Sequence, residues 1–214
     1  MIILNNLYLG YSLDLFQKYH YKHLVKVDLD KYPHLLLAGA SGAGKSYALN
    51  LYMQQLDQLG YKSYICDYKG ELPGCIYQEE RVIEGINEFY AGYKNKSLKK
   101  CLIIDEYPAY ISFMKLRDVK LANQIKDKIA ELLMMGRSYN SAVWLATQRP
   151  DADLFSGGAR DNLHAKILLG NGSPEAKKMM FGDYELAEAR FKIGQGYYSV
   201  GGGQPHKLIV PTVR

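Results

Sequence analysis

The chain contains the stretch His34-Leu35-Leu36-Leu37-Ala38-Gly39-Ala40-Ser41-Gly42-Ala43-Gly44-Lys45-Ser46, whose last eight residues fit the pattern G-x-x-x-x-G-K-S. Glycines suit this pattern because the backbone must curl tightly enough to direct successive N–H groups at phosphate oxygens. The apolar residues before it are typical of a buried parallel strand, and apolar residues recur at helical spacing after it. Strand, glycine loop and helix form the context in which this pattern binds a nucleoside triphosphate.

Two polar residues of this phosphate-binding loop have an expected contact. The Lys45 ammonium should reach the β- and γ-phosphates, and the Ser46 hydroxyl should hold Mg²⁺. ATP with Mg²⁺ is therefore the predicted cofactor. The predicted nucleotide-binding residues are Gly39, Ala40, Ser41, Gly42, Ala43, Gly44, Lys45, Ser46 and Tyr47.

Two carboxylates follow another apolar run, Cys101-Leu102-Ile103-Ile104-Asp105-Glu106. Downstream of a phosphate-binding loop, the first of them, Asp105, is expected to hold the metal together with Ser46. Glu106 is then placed to act as general base on the attacking water. The alternative is a strand that ends in two solvated acids, and the loop upstream makes it the weaker interpretation.

A third strand, 142–146, leads into Thr147-Gln148-Arg149-Pro150. An amide at a strand end can contact the γ-phosphate or the attacking water, so Gln148 is a candidate catalytic residue. The alternative for this side chain is an ordinary surface amide.

Composition sets the broad class. The 214 residues suit one domain, 1–214, with a hydrophobic fraction of 48% and a net charge of +5. No apolar run approaches the roughly 20 residues of a membrane span, so no membrane partner is expected. The three cysteines form no C-x-x-C pair, which indicates reduced thiols and a cytoplasmic protein. The mild basic excess permits a nucleic-acid partner.

Periodicity predicts an α/β fold with a mainly parallel central sheet flanked by helices and a C-terminal β-hairpin. Strands are expected at 2–9 (ended by Gly10), 24–29, 35–38, 62–66, 101–105, 142–146 and 164–169. Helices are expected from the loop to Gly60, at 79–93 and 118–135, and from Ser173 onwards.

Four segments together resemble the motor domain of FtsK/SpoIIIE-type DNA translocases. They are Pro33–Gly39 with the loop, Ile103–Glu106, Ala146–Pro150 and Gly194-Gln195-Gly196-Tyr197-Tyr198. Asp67–Leu72 is also similar to a strand end of conjugation coupling ATPases. The resemblance implies a RecA-like core in which the Gln148 strand separates the loop strand from the carboxylate strand. It also implies a ring, usually a hexamer, that pumps double-stranded DNA without sequence specificity.

The same resemblance points to an arginine that acts on a neighbouring subunit's nucleotide. Arg137 stands at the aligned position before the Gln148 strand and is the first candidate for this role. Arg160 is the alternative candidate, and Arg149 is a weaker candidate because it is next to Gln148. Alternatively, Arg137 only caps the C-terminus of its helix.

The DNA path and the biological role stay open at this stage. Lys115, Arg117 and Lys120 are candidates for lining the pore, or for an ordinary solvated helix start. The chain is shorter than membrane-anchored family members, which suggests a minimal motor of a plasmid, phage or integrative element, with a DNA-processing protein of that element as a further partner. Alternatives are a packaging or replication ATPase that depends on a partner, and a slow ATP-binding switch, although Glu106 and Gln148 argue against a switch.

Overall fold

A computed structural model describes residues 5–151, 155 and 158–211, whose strands form one ten-stranded sheet. The strands are β1 (Asn6–Ser12), β2 (Leu24–Asp28), β3 (Leu35–Gly39), β4 (Lys62–Asp67), β5 (Tyr77–Gln78), β6 (Lys100–Asp105), β7 (Ser141–Thr147), β8 (Ala165–Leu169), β9 (Gln195–Val200) and β10 (His206–Ile209). Their order across the sheet is β2-β1-β10-β9-β8-β3-β7-β6-β4-β5.

The sheet has a parallel half and an antiparallel half. Strands β8, β3, β7, β6, β4 and β5 are parallel, whereas β9, β10, β1 and β2 pair antiparallel. The expected α/β sheet, the C-terminal hairpin and the position of the Gln148 strand between the loop and carboxylate strands are confirmed. The hairpin lies inside the sheet, between β8 and β1.

Helices cover both faces of the sheet. They are α1 (Leu13–Tyr19), α2 (Lys45–Gln58), α3 (Val82–Gly92), α4 (Tyr107–Arg117), α5 (Val119–Met135) and α6 (Pro174–Phe181). Helix α2 packs on one face with Leu35 and Leu37, and α3 to α6 contribute to the core on the other face with Leu36 and Ala38. Strand β3 is therefore buried on both sides, as its continuous apolar run predicts.

The first strand differs at its end from the expected 2–9, whose residues 2–4 lie outside the described residues. It continues through Gly10, where the register with β2 shifts by one residue. A Cβ at Gly10 would lie 2.3 Å from the Ile209 carbonyl oxygen, so this glycine permits close approach of β10 rather than ending the strand.

A buried histidine joins β3 to β7 at their amino ends. The Val143 N–H donates to Nδ1 of His34 at 3.0 Å, and the Trp144 indole N–H donates to the Pro33 carbonyl at 3.0 Å. Burial, with smaller contributions from the nearby charges of His164 and Arg137, lowers the pKa of His34 to about 3. His34 is therefore neutral in the folded chain.

Within the described residues, none of the helices combines the length and the apolar composition that crossing a bilayer requires. The thiols of Cys66, Cys75 and Cys101 are free.

Candidate active site

The phosphate-binding loop connects β3 to α2 at the carboxyl edge of the parallel strands. Gly42 and Gly44 adopt positive φ angles of 77° and 97°, which glycine tolerates without steric cost. The Ala43 N–H donates to the Ala40 carbonyl at 3.0 Å, closing the turn. Helix α2 begins at Lys45, so its first N–H groups face the loop interior and provide the field that anions prefer.

Lys45 bridges both predicted acidic residues. Its Nζ lies 2.8 Å from Oδ1 of Asp105 and 2.7 Å from Oε1 of Glu106, and all three side chains are buried. Burial alone would lower the pKa of Lys45, but the contacts with Asp105 and Glu106 outweigh it and raise the pKa. Burial raises the pKa of Asp105, and the Lys45 ammonium opposes part of that rise. The loop and the carboxylate strand thus form one charged cluster.

The Glu106 carboxylate is held from two sides. The Gln148 backbone N–H donates to Oε2 of Glu106 at 3.3 Å, while Oε1 accepts from Lys45. Glu106 itself has a left-handed backbone, with φ of 52° and ψ of 40°, at the point where β6 turns into α4. Non-glycine residues in this conformation are uncommon and concentrate at functional sites.

Gln148 lies at the end of β7, between the loop strand and the carboxylate strand, and its side chain is exposed. Its backbone, rather than its amide, makes the hydrogen bond to Glu106. The expected contact of the amide with phosphate or water stays a prediction.

The donor set fits a metal shared with a nucleotide. The described residues include no cluster of three or more histidine, cysteine, aspartate or glutamate side chains that could hold a metal ion alone. Mg²⁺ in nucleotide sites is usually bound by one or two protein oxygens plus substrate phosphates and water. Asp105 and the exposed Ser46 offer such a pair, and Ser46 follows directly after Lys45 at the start of α2.

Sequence reasoning missed the support behind the loop. The Gly194 N–H donates to the Ala43 carbonyl at 2.9 Å, and a Cβ on Gly44 would lie 3.2 Å from the Gly194 nitrogen. The segment before β9 therefore braces the loop from behind. The Gly194-Gln195-Gly196 motif was the available signal, but only the fold reveals this contact.

A second missed feature is a cleft beside Glu106. This cleft of about 250 Å³ is lined by Lys69, Glu106, Pro108, Ala109, Thr147, Gln148 and Arg149. Lys69 follows Asp67, whose carboxylate accepts backbone N–H groups of Lys69, Glu71 and Leu72 at 2.6–2.9 Å. Asp67 thus orders the turn that carries Lys69 to the cleft beside Glu106.

The candidate arginines lie away from this cluster. Arg137 is exposed in a 3-10 turn that precedes β7, and Arg160 lies in another that precedes β8. Both are at the amino edge of the parallel strands, opposite the phosphate-binding loop. The Arg137 carbonyl accepts the Asn140 N–H at 3.4 Å, whereas its guanidinium makes no hydrogen bond or ion pair within the described residues and does not cap α5. Arg149 is on the loop's own edge, beside Gln148.

The candidate DNA contacts are together at the turn from α4 to α5. Lys115, Arg117 and Lys120 are all exposed there. Arg117 pairs with Glu80 and lies over the Phe113 ring, 4.2 Å from its centroid, so it is less available than the two lysines.

Comparison with known proteins places this geometry in context. No protein-family model matches the chain. It is 30% identical over 221 residues to the FtsK domain-containing protein YdcQ of Bacillus subtilis (strain 168), a match that covers 90% of this chain and 45% of that protein. The DNA translocase FtsK of Clostridium tetani is 24% identical over 227 residues, covering 85% of this chain and 29% of that protein. The chain therefore spans less than half the length of these relatives.

A solved structure shares the fold. The pCW3 conjugation coupling protein TcpA, in its monomer form with ATPγS, matches with a TM-score of 0.75 at 18% identity, over 97% of this chain and 66% of that one. The strand order, the phosphate-binding loop and the pairing of Lys45 with two acids are consistent with the relationship that the sequence matches indicate. Over most of its length the chain is therefore homologous to a domain of FtsK-type proteins, and it has the fold of a P-loop ATPase.

Proposed function

We propose that this chain is an ATP-hydrolysing motor domain that assembles into a ring, hexameric as in its family, and translocates double-stranded DNA. The observation that carries the proposal is the buried Lys45 ammonium held between Asp105 and Glu106, with Glu106 fixed further by the Gln148 N–H. A pure binding site needs a lysine for phosphate, but it needs no oriented carboxylate beside it.

The cluster explains how hydrolysis would be coupled to nucleotide binding. In the free chain, the single positive charge of Lys45 is shared between two buried carboxylates. Phosphate oxygens of a bound nucleotide compete for the same ammonium, and Lys45 moving towards them frees Oε1 of Glu106 to accept a proton from water. Mg²⁺, held by Ser46 and Asp105, would supply positive charge to the phosphates. Glu106 then acts as base only when nucleotide is present.

The position of Arg137 supports action between subunits. Strand β7 has seven residues at about 3.3 Å each, so Arg137 at its amino end is roughly 20 Å from the loop edge of its own chain. An exposed arginine at that distance reaches a γ-phosphate only on a neighbouring copy. Such arginines accelerate hydrolysis by about 10³-fold or more. Arg160 shares the edge and is the alternative donor.

DNA is the proposed substrate because both curated relatives carry the FtsK name and one is named a DNA translocase. Lys115 and Lys120 are the proposed phosphate contacts, since both are exposed where α4 ends and α5 begins. Contact with phosphates makes binding independent of sequence. We assign the motor to DNA transfer or replication of a mobile element, with a DNA-processing protein of that element as partner.

Displacement of a triplex-forming oligonucleotide tests translocation. The chain with ATP should displace the third strand from a long duplex, whereas Glu106→Gln should bind the same duplex without displacing it. ATP hydrolysis by the wild-type chain with no displacement at any protein concentration would contradict the motor function and leave only an ATPase.

A further inference from the structure

Residues 18–23, which comprise the end of α1 and the turn that leads to β2, are not used by the ATPase chemistry. They read Lys18-Tyr19-His20-Tyr21-Lys22-His23, and all six are exposed. Between residues 15 and 27 the chain has three lysines, two histidines and no acidic residue. We call residues 18–23 the aromatic–basic turn.

The backbone of the aromatic–basic turn is ordered by hydrogen bonds. His20 takes a left-handed conformation, with φ of 52°, and its N–H donates to the Phe16 carbonyl at 3.0 Å, ending α1. The Ser12 N–H donates to the His23 carbonyl at 2.9 Å, fixing the other end of the turn to β1. The turn is therefore a fixed platform for its side chains.

Two tyrosine rings project from this platform. Tyr19 and Tyr21 are 61% and 58% exposed, although burial of an aromatic side chain is strongly favourable. Lys18 Nζ lies 5.0 Å from the Tyr19 ring centroid, and the Tyr21 ring lies 6.0 Å from that of His23. Lys22 adds another ammonium group to the turn, with its Nζ 5.8 Å from the Tyr11 ring centroid. Exposed rings interleaved with ammonium groups are the arrangement that binds unpaired bases and their phosphates.

The neighbouring strands extend the same chemistry. Tyr8 of β1 is directly opposite Lys26 of β2, and both side chains are exposed. Directly opposite residues of antiparallel strands point to the same face. Another ring and another cation therefore stand side by side on the two strands that flank the turn.

This surface is remote from the phosphate-binding loop. Strand β2 is the edge of the sheet, and four strands separate it from β3. At about 4.8 Å per strand, the two are roughly 24 Å apart. Side chains of the turn therefore serve no step at Lys45 or Glu106.

We propose that the aromatic–basic turn, together with Tyr8 and Lys26, binds a single-stranded polynucleotide. Bases in a duplex are stacked on each other and offer no face to a tyrosine, whereas single strands do. A lipid surface fits less well, because an interfacial helix needs a broad apolar face and α1 has seven residues with its apolar Leu13 buried. The inference goes beyond the motor function and does not depend on it.

Fluorescence anisotropy with labelled oligonucleotides of about 20 nucleotides, longer than a typical site of ~4–16, tests the proposal. Oligo-dT and oligo-rU arms distinguish DNA from RNA, and a blunt duplex of mixed sequence is the comparison. Tyr19→Ala/Tyr21→Ala should weaken single-strand binding at least tenfold, because both stacking platforms are lost. Tyr19→Phe/Tyr21→Phe should keep it, since the rings remain. Duplex affinity should change less than twofold in both.

The controls separate this surface from the motor. Tyr184→Ala removes another exposed tyrosine and should leave single-strand binding unchanged. Lys45→Ala should also leave it unchanged, so a failed motor function does not affect this test. Basal ATPase and melting temperature report folding of the Tyr19/Tyr21 variants. Equal binding of single strands by the wild-type chain and a folded Tyr19→Ala/Tyr21→Ala variant would overturn the proposal, as would anionic vesicles binding where oligonucleotides do not.

Discussion

The Nζ atom of Lys45 lies 2.7 Å from Oε1 of Glu106, so the lysine of the phosphate-binding loop restrains the carboxylate that follows β6. The same carboxylate accepts the Gln148 N–H through its other oxygen. In the proposed mechanism, nucleotide binding and activation of water therefore both depend on Lys45 changing partners.

Glu106→Gln should bind ATP with near wild-type affinity and hydrolyse it more than tenfold more slowly. The amide keeps the shape of the side chain but cannot accept a proton from water. Steady-state ATPase and binding of a fluorescent ATP analogue measure the two effects separately.

Lys45→Ala is the matched control for Glu106→Gln, since it should lose nucleotide binding itself. A fall in turnover of less than tenfold in Glu106→Gln, about 1.4 kcal/mol, would show that Glu106 is not the general base.

Arg137→Ala should bind ATP normally and be inactive, and mixing it with Lys45→Ala should restore part of the activity. A mixed ring can contain an intact loop from one chain facing an intact arginine from the next. ATPase measured across a series of mixing ratios should pass through a maximum.

Arg160→Ala, mixed in the same way, tests the rival arginine at the same edge of the sheet. If mixtures with Arg137→Ala stay inactive while both variants assemble, Arg137 does not act between subunits.

Duplex binding should weaken steeply with salt, because exposed lysines contact phosphates. A plot of the logarithm of the binding constant against the logarithm of salt concentration has a negative slope, and each lost phosphate contact reduces its magnitude by about 0.9. Lys115→Gln/Lys120→Gln should therefore reduce the slope by about 1.8 if each lysine makes one contact.

Lys94→Gln/Lys96→Gln removes the same charge from an exposed turn at the opposite edge and should leave the slope unchanged. Affinity that stays flat across the salt titration of the wild-type chain would exclude this electrostatic mode.

Stability should fall as pH is lowered from 7 to 5, partly through His34. Its folded pKa of about 3 is below the unfolded value of 6.5, so below pH 6.5 the unfolded chain takes up a proton that the folded chain does not. Unfolding is therefore favoured by about 2 kcal/mol at pH 5 from this group alone. Chemical denaturation at both pH values measures it.

His34→Asn keeps an acceptor for the Val143 N–H but removes the titrating ring. This variant should be less stable at pH 7 and should lose about 2 kcal/mol less between pH 7 and pH 5. An unchanged pH dependence in His34→Asn would contradict the assignment.

The sequence predicts the parallel half of the sheet because its strands are short apolar runs that end in polar residues, as at Asp105 and Gln148. Helix α4 was missed, although its buried residues Tyr107, Tyr110, Ile111 and Met114 have helical spacing. Pro108 and the aromatic residues obscured that signal, yet proline is well accommodated in a first helical turn.

Contacts between distant segments could not be predicted in the same way. Gly194 supports the loop from a position 150 residues beyond Gly44, and no local pattern encodes that meeting. The contact of Lys45 with both Asp105 and Glu106 likewise depends on the position of β7 between β3 and β6. Sequence motifs therefore identify the candidate groups, whereas the fold determines which of them contact one another.

Steady-state ATPase with and without duplex DNA tests the central claim most directly. The assay compares the wild-type chain with Glu106→Gln, which controls for contaminating ATPases. The motor function predicts low basal turnover that duplex DNA alone raises several-fold in the wild-type chain and not in the variant. Stimulation only after a partner protein is added would favour a partner-dependent ATPase, and turnover that duplex DNA leaves unchanged would contradict a DNA motor.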